Sequence, residues 1–121
     1  MVAQQHNKFK IFVTPAPAGP IPSDVLADVG NFIKEAEIAA KSIGVEYLER
    51  EKKVVLSIGY RDDEPGYPVT VRCVALGKQA LDPRTLENAF ETAALVVPNV
   101  ICHEFYVNED DEFFLVLMAQ A

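Results

Sequence analysis

The chain has 121 residues, half of them apolar, with 18 acidic and 11 basic side chains and a formal net charge of −7. A chain of this length can bury most of its surface around one core, so neither a metal nor a disulfide is needed to hold it. The acidic balance repels phosphate backbones and no stretch gathers Lys and Arg, which argues against nucleic acid as a partner. Cys73 and Cys102 stand far apart with no CxxC spacing. Two buried free thiols are therefore expected, with no metal and no cofactor. MVAQQHNKFK lacks the apolar segment of a signal peptide and no run is long enough to span a bilayer, which predicts a cytoplasmic protein with no membrane contact.

Residues 1 to 7 read as a loose polar tail, with residues 8 to 121 as a single domain. Phe9, Ile11 and Val13 then alternate with Lys8, Lys10 and Phe12. That period marks a strand, with the first three residues expected on the core face. The connector TPAPAGPIPSD sits where phosphate-binding loops sit. Prolines at 15, 17, 20 and 22 remove the amides an anion would need, so a stiff strut is the favoured reading.

Apolar residues from Val25 to Ile43 recur at helical spacing, predicting a helix over residues 23 to 43 capped by Ser23 or Asp24 and closed by Gly44. Gly30 within it would allow close approach to a sheet. Residues 45 to 76 read as a meander of strands, residues 45 to 60 being either a hairpin or one long bent strand. Asp82-Pro83 starts a second helix, over residues 83 to 96, with Asp82 as cap and Pro98 beyond its end. Residues 100 to 107 and 113 to 119 form a last hairpin around an acidic tip. No internal repeat is visible in the sequence.

This order suits α+β architecture: two helices packed on one face of a mostly antiparallel sheet of five to six strands. It resembles the ferredoxin-like arrangement with added strands, which hosts enzymes, regulators and scaffolds alike. The strand from Phe113 to Ala119 is apolar at every position, as strands covered on both faces are. Two helices on one side would leave Phe114, Val116 and Met118 unshielded. A second copy of the chain, as a dimer, is the simplest cover, with the strut edge available to another protein.

Candidate chemistry is sparse. Cys102, His103 and Glu104 are adjacent, but on a strand His103 faces away from the other two, so His103 and Glu104 are weak candidates for an acid or base. Arg72 beside Tyr60, with Tyr47 nearby, would hold a small carboxylate or phosphate if their strands were neighbours. The acidic turns at residues 61 to 64 and 108 to 112 lack a calcium register. A non-catalytic binding or assembly module acting as a homo-oligomer ranks first. A small-molecule sensor or carrier with a pocket at the sheet–helix or dimer interface ranks second, and a small acid/base enzyme third.

Overall fold

The computed structural model describes residues 7 to 121. The chain runs β1 (Lys8–Pro15), α1 (Ser23–Ala36), β2 (Ala39–Leu48), β3 (Lys53–Arg61), β4 (Val69–Gly77), α2 (Pro83–Ala94), β5 (Val100–Val107) and β6 (Phe113–Gln120). Residues 1 to 6 of the expected tail lie outside the described residues, while the Asn7 amide already bonds to the Tyr60 carbonyl at 3.2 Å.

The class is α+β with two helices and six antiparallel strands, but the strands form two sheets of three, ordered β1-β3-β2 and β4-β6-β5. A single sheet of five to six strands does not form. Each half of the chain is strand, helix, strand, strand, and in each the last strand lies between the other two. The topology repeats although no repeat shows in the letters.

The first helix is shorter than its apolar spacing suggests. Backbone amides of Glu37 and Ile38 close on Lys34 and Ile33, Glu37 takes a left-handed φ of 53°, and the chain enters β2. Ala40 and Ile43, three apart, mimic a helical face because a bulge at residue 41 inserts one residue into the strand. Gly44, expected to close the helix, instead lies in mid-strand opposite Ser57. No side chain caps α1, and the Val25 and Leu26 amides bond to the Pro22 carbonyl. The second helix starts as expected: Asp82 accepts from the Thr85 amide at 3.0 Å with Pro83 in the first turn.

β2 and β3 form a hairpin, which excludes one bent strand over residues 45 to 60. The meander ends there, because β4 pairs with β6 in the second sheet. The two sheets meet where β2 runs beside β5, with Tyr47 stacked on Tyr106 at a centroid distance of 6.0 Å.

α1 lies against β4 and turns one apolar face into the core shared by the two sheets, its other face being exposed. Its Leu26, Val29 and Ile33 share one core with Leu56 and Ile58 of β3 and with Phe114, Val116 and Met118 of β6. Leu115, Leu117 and Ala119, on the other face of β6, pack with Ala93 and Val97 at α2. The helices therefore cover opposite faces of the second sheet, contrary to the one-sided expectation. Phe114 is 1% exposed, and Val116 and Met118 are fully buried, so these residues form no outward flank and the chain itself supplies the cover. They are core residues.

The first strand is also turned over. Phe9, Ile11 and Val13 are 64%, 50% and 61% exposed, while Phe12 packs edge-on to Phe32 at 6.2 Å and Thr14 is buried. Lys10 lies on the inward side by extending its stem so that Nζ sits 5.3 Å from the Phe32 ring centroid. Alternation identifies a two-faced strand but not which face turns inward.

Candidate functional site

The Pro-rich connector is pinned by Ile21, 3% exposed in the core, and its end delivers the first turn of α1. From there α1 runs along the outer edge of β4. Burial raises the Cys73 thiol's pKa, opposed by a hydrogen bond with the Ile21 backbone, which places Ile21 beside Cys73. Further along, a Cβ on Gly30 would stand 3.3 Å from the Val69 carbonyl oxygen. The helix and strand thus run antiparallel in close contact. Gly30 supplies the close approach its place in the sequence suggested.

A cleft of about 490 Å³ follows this seam. Ser23, Ala27, Asn31 and Lys34 form its helix wall at helical spacing, and Thr70 and Arg72 belong to its strand wall. No aspartate or glutamate lines it. Glu87 and Glu91 line the groove beside α2, and Glu46 and Glu104 line the one between β2 and β5, while a hollow of about 450 Å³ between α2 and β4 holds neither a carboxylate nor a cation.

Among the described residues neither Lys34 nor Arg72 forms an ion pair, which is also true of Lys10, Arg50, Lys53, Lys78 and Arg84, while Lys8, Lys41, Lys52 and Arg61 each hold a carboxylate. Glu37 lies in the neighbouring hollow with Lys34. By helix rise, Lys34 and the start of α1 near Arg72 are roughly 16 Å apart, a span that two long side chains can narrow from both ends. The cleft presents cations toward its ends with hydroxyl and amide groups between them.

Arg72 was expected beside Tyr60 and Tyr47, but the topology separates them. Arg72 lies opposite Leu117 in the second sheet, while Tyr60 and Tyr47 belong to the first. Tyr60 packs against Phe32 at 5.8 Å, and Tyr47 stacks on Tyr106. Tyr106 is itself buried, with its hydroxyl 3.9 Å from the Cys73 sulfur, and desolvation raises its pKa. Both thiols are free and partly buried, and desolvation pushes Cys102 up to about 11. Neither sulfur is an activated nucleophile.

His103 and Glu104 separate across β5 as strand geometry requires. The exposed His103 ring meets Phe90 of α2 at 6.3 Å, while Glu104 faces β2 and its Oε1 accepts from the Phe105 amide at 3.0 Å. They cannot act on one substrate atom together.

The acidic turns are occupied by the chain's own groups. Asp62 and Glu64 pair with Lys8 and Lys41 at 2.6 and 2.7 Å, and Asp63 binds Arg61. In the other turn, buried Asn108 accepts from the Asp110 and Glu112 amides, and Glu109 reaches Lys52 at 2.7 Å. Among the described residues no group of three or more His, Cys, Asp or Glu side chains is arranged to hold a metal, and no helix is long and apolar enough to cross a membrane.

Sequence reasoning missed Lys34, Asn31 and Thr70. The available signal was the series Ser23, Ala27, Asn31 and Lys34 at the border of the helix's apolar face. It acquires meaning only once β4 lies beside it. No family model matches the chain, and neither a curated protein nor a solved structure does.

Proposed function

We propose that the protein is a non-catalytic binding module that captures an elongated small anion, carrying a carboxylate or phosphate toward each end, in the α1–β4 cleft. The supporting observation is a cleft of about 490 Å³ that holds Lys34 and Arg72 without a carboxylate, in a chain of net charge −7. Arg72 can make two parallel hydrogen bonds to a planar anion and Lys34 supplies a point charge. Ser23, Asn31 and Thr70 provide orienting groups between them. Separation of His103 from Glu104 favours binding over acid/base turnover.

The test uses linear dicarboxylates and sugar bisphosphates in thermal-shift and calorimetric titrations at low ionic strength. A ligand at a hundred times its Kd stabilises the fold by about 2.7 kcal/mol. Arg72→Ala and Lys34→Ala should each weaken that stabilisation and together abolish it. Absence of a response throughout the panel, or a response unchanged in the double variant, would reject the site.

A second reading, self-association, rests on the turned-over first strand. Ile11 and Val13 are exposed on β1, and among the described residues no strand pairs with its second edge. Antiparallel pairing of this edge with that of another copy would join two sheets about a twofold axis and place those side chains in cross-strand pairs. Sedimentation velocity distinguishes the states: a concentration-dependent dimer lost in Ile11→Lys supports this contact, and a monomer throughout excludes it.

A further inference from the structure

Beside α2 lies a second groove, of about 280 Å³, with the opposite electrostatic character. Leu115, Leu117, Phe90, Ala94 and Val100 give it an apolar lining, with His103 at its side. Glu87 and Glu91, one helical turn apart and both exposed, also line it, and no Lys or Arg does. Apolar surface continues on either hand: Phe105 is 43% exposed, and Leu95 and Val96, just past the helix, are 83% and 72% exposed. Phe90 and Phe105 stand 5.7 Å apart and tilted, offering aromatic surface beside the carboxylates.

We infer that this groove docks a short segment of another protein that places an apolar anchor beside Lys or Arg. The space accommodates an apolar side chain, and the greasy rim excludes water around it, as at interface hot spots. A neighbouring lysine or arginine meets Glu87 or Glu91 and can lie over Phe90 or Phe105. Charge selects this occupant over a second copy or a lipid surface. Another copy carries the same net charge of −7 and the same paired glutamates, and anionic lipid headgroups would face them directly. α2 contributes only one buried residue, Ala93, and so can adjust around a ligand without opening the main core.

The probe is a random dodecapeptide display library panned against the full chain, followed by fluorescence polarisation with individual selected peptides. The expected consensus combines one or two apolar anchors with Lys or Arg, and its affinity falls with salt. Ala94→Trp, which fills the groove, and the surface double variant Glu87→Lys/Glu91→Lys should each reduce affinity at least tenfold while circular dichroism and Tm show an intact fold. The double variant should also gain affinity for versions of the peptide with Glu in place of Lys and Arg. No enrichment, an acidic consensus, or affinity unmoved by both variants overturns the inference. So does Ala94→Trp dissolving a self-associated species in sedimentation, which would assign the groove to a second copy, or peptide-independent flotation of the chain with phosphatidylserine vesicles.

Discussion

The first and second halves of the chain share one topology yet use their helices differently. α1 buries Leu26, Val29 and Ile33 in the core shared by both sheets, whereas α2 buries Ala93 alone and rests on one sheet. The side chains explain the difference. Large aliphatic residues on α1 reach into the core shared by both sheets, and Gly30 lets the helix close against β4. Leu86, Ala89, Phe90 and Ala93 give α2 a mostly shallow face, sufficient to cover one side of β6. An identical order of elements therefore gives one helix a deep apolar face and the other a shallow one. α2 leaves an apolar groove edged by glutamates beside it, while α1 leaves a cleft of mixed polarity with Lys34 and Arg72 along its seam.

Substitutions can separate these roles. The largest effect is expected for Ile33→Ala, which removes atoms from a site 1% exposed and should cost about 2–5 kcal/mol in urea unfolding. Phe90→Ala, at the half-exposed helix, should cost about 1 kcal/mol, because less apolar area returns to water. Equal costs would mean that both helices are integral to one core. Hydrogen exchange sharpens the same contrast: α2 amides should exchange through local opening and α1 amides only near the global unfolding limit.

Gly30→Ala is expected to have a smaller effect, because alanine favours the helix by about 1 kcal/mol and so offsets part of the cost of crowding. The 3.3 Å approach to the Val69 carbonyl decides the direction, because a backbone neighbour must give way. The variant should be destabilised, with α1–β4 protection reduced first. A rise in Tm would show that the seam has room to spare.

The smallest contrast concerns the helix starts. Asp82→Ala should lower Tm by removing the bond to Thr85, whereas Ser23→Ala should leave it nearly unchanged because Ser23 makes no cap. Hydrogen bonds from the Thr85 side chain and backbone hold the Asp82 carboxyl below its ordinary value of 3.8. Its contribution is present above that value and disappears as pH falls through the depressed folded value. Asp82→Asn keeps a capping oxygen without the titration, so the gap between its urea midpoint and that of the parent should change between pH 6 and pH 3. A constant gap would remove the electrostatic part of this cap.

The local signals for α2 and the last hairpin were legible because Asp82-Pro83 and the polar tip at Asn108 act through neighbouring atoms. The end of α1 was not, since a bulge at residue 41 places Ala40 and Ile43 at a spacing shared by strand and helix. The site was legible only in Arg72. Its charge is written in the sequence, but its company of Lys34 and Asn31, in place of Tyr60 and Tyr47, depends on β4 leaving β3 and pairing with β6.

By itself the sequence determined the α+β class, the acidic surface and the continuous burial of the last strand, because composition and side-chain period act residue by residue. Tertiary structure decided which residues provide that burial, which face of β1 turns inward and which side chains line the α1–β4 cleft. Those outcomes depend on pairings between distant strands and on helices settling on opposite faces of the second sheet. No local period encodes that choice.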